Sequence, residues 1–202
     1  MKDPLDAERV VVAIAGPNGA GKSTFYAIRL AAAGLHFVNA DVLAKELGVG
    51  PYEAAELARR TRESLLAMGE PFVFETVFSD SAGEKLGFLQ RAAGAGYTVV
   101  LCFIGLSAVA LSKQRVAARV IRGGLAVPEE KLEERFGRSM RNLAEAIRVL
   151  PHVHVYDNSD PASPFREVAV FKSGRRVDGG EPLPAWFPGR RPRRRGRTTS
   201  RR

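Results

Sequence analysis

Cysteine is nearly absent from this 202-residue chain. Cys102 stands alone, which excludes an intrachain disulfide framework and any multi-cysteine metal site. A reducing, cytoplasmic setting is therefore expected. No apolar run approaches the roughly 18 residues that a membrane span needs. The opening stretch MKDPLDAERV lacks an apolar segment, so no secretory leader is expected. Histidine is scarce too, at three residues. His152 and His154 share one side of a strand by their spacing, but no third ligand lies near in sequence, so no metal centre is expected there. Acid is missing from Arg190–Arg202, which holds eight arginines. The formal charge of +9 is concentrated in that stretch: eight of the 31 basic residues lie there, and the other 23 face 22 acids. The basic balance invites a nucleic-acid reading, yet the body is almost neutral.

What the chain does have is apolar material, 45% hydrophobic against 26% charged residues, enough for a packed core. A single domain over residues 1–187 with a basic tail over 188–202 is expected. From about Gly179 onward Pro, Gly and Arg dominate, the composition of an unstructured stretch. Trp186 is expected to pack this end onto the body.

Apolar runs alternate with helical patterns. Strands are expected at Arg9–Gly16, His36–Asp41, Phe72–Phe78, Tyr97–Gly105, His152–Tyr156 and Phe165–Phe171. Helices are expected at Lys22–Ala33, Val42–Leu47, Pro51–Met68, Ala82–Ala93, Ser107–Ile121 and Pro128–Leu150. The first strand, RVVVAIAG, is apolar without alternation, as in a strand buried on both faces. This order predicts an α/β fold with a largely parallel sheet covered on both sides.

The sharpest motif is Gly16-Pro17-Asn18-Gly19-Ala20-Gly21-Lys22-Ser23, followed by Thr24. It fits the G-x4-G-K-[ST] phosphate loop, and it sits between an expected strand and an expected helix. Glycines let successive backbone N–H groups turn toward phosphate oxygens, and the helix start adds its positive dipole end. Lys22 would reach the β- and γ-phosphates, and the Ser23 hydroxyl would ligate Mg²⁺. ATP is the expected nucleotide, with GTP as the alternative donor.

Ligands in open α/β sheets lie beyond the carboxyl ends of the strands. Two acids fall there. Asp41 closes HFVNAD, where it could accept the proton of an acceptor hydroxyl or cap the following helix; both readings stand. Glu75 lies inside PFVFETVF, where an acid is costly unless paired or near a metal. It suits a role near Mg²⁺ or a contact to a substrate hydroxyl. The strand LCFIG ends without any acid, which counts against a GTPase or a transport ATPase.

Arg115, Arg119 and Arg122 fall on one helical face, and Arg135, Arg138 and Arg141 on another. Cations that close over a transferring phosphoryl group are what a small kinase needs. Gly123-Gly124 between the two helices suits a movable lid. The competing reading is a solvated face paired with Glu129, Glu130, Glu133 and Glu134.

Taken together, GPNGAGKST, NADVLA, FETVFS, RVAARVIRGG-LAVPEEKLEERFGRSMRNL, VYDNS and LPAW resemble the zeta-toxin family of P-loop kinases. The likeness runs from Val10 to Trp186 and is nearest to the family's short branch, whose members are described as ABC-type ATPases or kinases. The resemblance implies a P-loop NTPase three-layer sandwich, a mainly parallel sheet of order 2-3-1-4-5 and a helical lid. It implies transfer of the γ-phosphate of ATP to a substrate hydroxyl; characterised zeta toxins phosphorylate the 3′-hydroxyl of UDP-N-acetylglucosamine and are restrained by an antitoxin. Carried over by position, it makes Asp41 the catalytic base, Glu75 a substrate contact and Arg119 the first phosphate-binding lid arginine. Thr76 falls one residue from a substrate-binding threonine. The family's second lid arginine has no clean counterpart, and Arg122 or Arg135 is the expected substitute. Leu125 stands where the short branch has histidine.

The alternative is a nucleic-acid-directed P-loop NTPase or polynucleotide kinase that uses the basic tail. Without interleaved aromatics, the tail suits only non-specific anion contact.

Overall fold

A computed structural model describes residues 7–188. The expected basic tail, beyond its first residue Pro188, lies outside the described residues. The elements run β1 (Val10–Ala15), α1 (Lys22–Arg29), a short 3-10 turn (Ala31–Ala33), β2 (His36–Val38), α2 (Ala40–Leu47), α3 (Pro51–Met68), β3 (Phe72–Thr76), α4 (Glu84–Gly94), β4 (Thr98–Gly105), α5 (Val109–Ile121), α6 (Glu129–Val149), β5 (His152–Asp157), β6 (Arg166–Lys172) and β7 (Arg175–Asp178).

One sheet joins all seven strands in the order β2-β3-β1-β4-β5-β6-β7. Its first five positions are parallel neighbours in the expected 2-3-1-4-5 order. β1 is central, and all six of its residues are buried. Its side chains divide by parity: Val11, Ala13 and Ala15 enter one core, while Val10, Val12 and Ile14 enter the other. This explains the unbroken apolar run, since neither face meets water. α3, α4 and α6 bring Ala58, Phe88, Leu89, Leu143 and Ala146 to the first core. α1 brings Phe25 to the second. The result is the three-layer P-loop kinase fold. No helix among the described residues is long and apolar enough to cross a membrane.

Four local expectations change. The second strand ends at Val38, because Asn39 turns the chain into α2. The 166–172 strand is antiparallel to β5, and a further strand, β7, follows it through a Ser173-Gly174 turn in which both residues have positive φ. β7 (RRVD) is exposed throughout, so it carries no alternating pattern. The 179–188 segment, expected to be unstructured, packs onto the first core through Leu183, Trp186 and Phe187: Phe187 is buried and its ring stacks 6.2 Å from that of Phe171. Trp186 lies on Gly105 at the end of β4, so close that a Cβ there would sit 2.1 Å from the indole ring.

Candidate active site

The carboxyl ends of β1, β2 and β3 face one region, and each contributes to it. β1 runs into the phosphate loop. Gly16 has φ +144° and passes so near Ile104 that a Cβ would stand 2.2 Å from its carbonyl oxygen. Gly19 and Gly21 are left-handed, at φ +73° and +89°. Side chains from distant elements brace the loop. Ser112 Oγ donates to the Asn18 carbonyl at 2.6 Å, and Asn158 Nδ2 donates to the Ala20 carbonyl at 2.8 Å. Asn158 thus serves the loop, while Asp157 Oδ1 accepts from Ser159 N and closes a turn after β5.

Gly21 caps α1 with no side chain, so the first N–H groups of that helix are left for a ligand. Lys22 is buried and folds back over the loop, donating to the carbonyls of Gly16 (3.1 Å) and Pro17 (3.2 Å). Burial lowers its pKa, and the nearby carboxylates of Glu75 and Asp41 oppose that shift. Ser23 and Thr24, one residue on, are exposed in the first turn of the helix.

β3 supplies Glu75. The cost of an acid in this apolar strand is met by three partners. Oε2 accepts from Ser23 Oγ at 2.7 Å and from Asn39 Nδ2 at 2.8 Å, and Oε1 lies 3.7 Å from Lys22 Nζ. Thr76 Oγ1 accepts from Phe78 N at 3.0 Å and closes the turn after the strand. α6 holds that turn through Ser139 and Asn142, whose side chains donate to the carbonyls of Val77 and Phe78.

β2 leads into α2. Asn39, not Asp41, is the N-cap: its Oδ1 accepts from the N–H groups of Asp41 and Val42. Asp41 is therefore free of capping. It sits exposed in the first helical turn, with Oδ2 4.0 Å from Arg119 Nη1. Arg119 also donates to the Leu125 carbonyl at 3.0 Å, which ties it to the segment between α5 and α6. Gly124 allows this closeness, since a Cβ there would lie 2.6 Å from Arg119 Cγ.

Lys22, Ser23, Glu75, Asp41 and Arg119 are thus linked in space. Arg122 ends α5 at an exposed position and makes no ion pair among the described residues. Arg138 is engaged elsewhere: it donates to the Ser79 carbonyl and pairs with Glu134. The glutamates near the start of α6 also serve Lys113, which pairs with Glu129 and Glu133. An open cleft of about 470 Å³ is lined by Ser23, Phe37, Asn39, Asp41, Val42, Lys45 and Glu46. Among the described residues no cluster of three or more His, Cys, Asp or Glu could hold a metal alone.

Sequence reasoning missed Asn39, Ser112 and Asn158 as site-building residues. Only the cap signal of Asn39 was available locally, three residues ahead of an apolar position.

The family model described as Zeta toxin matches residues 48–168. The chain belongs to the zeta-toxin family. The loop Gly16–Ser23 and Asp41 precede the matched stretch. No curated protein matches the chain. Among solved structures, a chain of the AvrRxo1-ORF1:AvrRxo1-ORF2 complex has TM-score 0.66 and 20% identity, covering 85% of this chain and 61% of that one. The same complex is known with ATP, with the same scores. A chain of the PezAT toxin–antitoxin system of Streptococcus pneumoniae has TM-score 0.56 and 17% identity, covering 75% of this chain and 68% of that one. A chain of the Pnkp1/Rnl/Hen1 RNA repair complex has TM-score 0.53 and 16% identity over 69% and 47%. This zeta-toxin-family chain shares their fold, and it spans about three fifths of the length of the AvrRxo1 chain it matches.

Proposed function

We propose that the protein is an ATP-dependent small-molecule kinase that moves a γ-phosphoryl group to a substrate hydroxyl. The observation that carries this reading is the shared cleft edge, where Ser23 and Asp41 face the same space and Arg119 stands against Asp41. ATP supplies the phosphoryl group and Mg²⁺ neutralises charge on it. The uncapped start of α1 and the loop from Gly16 to Gly21 suit the phosphates, and the Ser23 hydroxyl is the donor suited to Mg²⁺. Few protein ligands are needed for that ion, which usually keeps water and phosphate in its shell.

Asp41 takes the proton of the acceptor hydroxyl as it attacks. Its exposure and its lack of capping duty support that role. Lys22 and Arg119 face the charge that develops on the transferred group, with Arg122 or Arg135 as a second lid cation. Glu75 and Thr76 border the acceptor side. UDP-N-acetylglucosamine is the first acceptor to test, GTP the competing donor, and the cytoplasm the expected compartment. A protein antitoxin belongs to the same proposal, in keeping with the two-component toxin–antitoxin system named for PezAT.

The test is phosphotransfer from labelled ATP to a metabolite panel headed by UDP-N-acetylglucosamine, with mass spectrometry of the product. Asp41→Asn should leave ADP affinity within about threefold and lower transfer by about 10²–10⁴-fold, the worth of a general base. Wild-type turnover in that variant would refute the base assignment. Absence of transfer across the panel would refute the kinase reading.

A further inference from the structure

Among the described residues, Asn39 is the side chain that bonds to both acid-bearing arms of the site. It is 6% exposed. Its Oδ1 fixes the first turn of α2, accepting from Asp41 N at 2.8 Å and Val42 N at 3.4 Å. Its Nδ2 donates to Glu75 Oε2 at 2.8 Å, the same oxygen that accepts from Ser23 Oγ. We propose that Asn39 is a positioning residue for phosphoryl transfer, locking the backbone that carries Asp41 and the carboxylate that holds Ser23 into one rigid unit. This rests on the kinase reading above.

The chemistry of the amide explains why an Asn stands here. Asp, Ser and Thr are also good N-caps. Asp has no donor for Glu75 and would set a second carboxylate against it. Ser and Thr carry donor and acceptor on one atom, a bond nearer the backbone. Only Asn offers an acceptor to α2 and a separate donor to Glu75 at this reach. Without the Nδ2 bond, Ser23 is the hydrogen-bond partner left to Glu75 Oε2 among the described residues. The carboxylate can then turn, and the serine hydroxyl loses its fixed direction. Without the Oδ1 bonds, the first turn of α2 frays at Asp41 itself.

Asn39→Asp separates the two duties, because it keeps the cap and removes the donor. It also sets a carboxylate against Glu75, so its melting temperature should fall by several degrees, and the Glu75→Gln background should relieve most of that loss. Its affinity for ADP with Mg²⁺, by calorimetry, should fall about 10–100-fold, and kcat by a similar factor; that is the scale of one hydrogen bond to a charged group. Glu75→Gln supplies the second half of a double-mutant cycle. The amide it introduces would offer an N–H donor to the carboxylate of Asn39→Asp and still accept from Ser23. In the Glu75→Gln background, Asn39→Asp should change Mg-ADP affinity by less than about threefold. Equal losses in both backgrounds, or an Asn39→Asp variant that binds and turns over as wild type, would overturn the proposal. So would a loss of activity that only tracks loss of melting temperature. Failure of the unmodified chain to bind Mg-ADP would instead overturn the kinase reading. The cycle is then read from the melting temperature of the ligand-free protein, where equal effects in both backgrounds overturn the coupling.

Discussion

Asn158 gives the most direct test of how the phosphate loop is held. Its side chain is buried and has partners on both ends of the amide: Nδ2 donates to the Ala20 carbonyl at 2.8 Å, and Oδ1 accepts from Phe165 N at 3.4 Å. It also fills the space beside Gly21, where a Cβ would stand 2.7 Å from Nδ2. Asn158→Ala removes one good and one long hydrogen bond and leaves both backbone groups in a buried setting. A buried polar group stripped of its partner costs about 1–3 kcal/mol, so a loss of about 2 kcal/mol is expected. For a domain of this size that corresponds to about 4–8 °C in melting temperature. The loop at Ala20 is also freed, so ADP affinity should weaken about tenfold while the acceptor KM stays unchanged. Asn158→Asp keeps the acceptor for Phe165 but turns a carboxylate toward the Ala20 carbonyl, and should be at least as destabilising as Ala. Thermal melting and ADP calorimetry on both variants read the outcome. An Asn158→Ala protein that melts within about 1 °C of wild type and binds ADP equally would refute the bracing role.

Gly16→Ala should abolish ADP binding or the fold of the loop, because the new methyl group meets the Ile104 carbonyl, a backbone atom that cannot swing aside; wild-type affinity would contradict the close approach. Cys102 should resist alkylation in the native protein: burial pushes its thiol from 9.0 up to about 12, which lowers the thiolate fraction about 1,000-fold. Iodoacetamide labelling followed by mass spectrometry should be slow when folded and fast in denaturant, and rapid native labelling would contradict the burial. Removing Arg190–Arg202 should leave small-molecule transfer intact and abolish salt-sensitive retention on RNA. Loss of both together would favour the nucleic-acid-directed alternative.

The phosphate loop was legible because its chemistry demands glycines at fixed spacing, and the same glycines then appear with the φ values that require them. The parallel order around β1 was legible because burial on both faces leaves an unbroken apolar run. The braces were not. Ser112, Asn158 and Asn39 act on partners 94, 138 and 36 residues away, and a lone amide or hydroxyl leaves no periodic trace in sequence. The boundary of β2 was misread for a related reason. HFVNAD looks like one strand that ends in an acid, yet Asn39 turns the chain two residues earlier by capping α2. Asp41 is thereby carried into a helix rather than left at a strand end.

Strand parity separates Glu75 from the acid-free end of β4. Glu75 lies two residues after Val73 and shares its side of the sheet, the side of the second core where α1 carries Ser23. There Ser23, Asn39 and Lys22 offset the cost of burying it. Gly105 has the parity of Leu101 and Phe103 and faces the first core, where the Trp186 ring occupies the space in which a side chain would begin. Gly105→Asp should not transplant the acid across β1. It should displace the 179–188 segment that Trp186 anchors, seen as lower melting temperature and greater protease cleavage near residue 186. A stable, protease-resistant Gly105→Asp protein would show that β4 has room for the acid and would break this account.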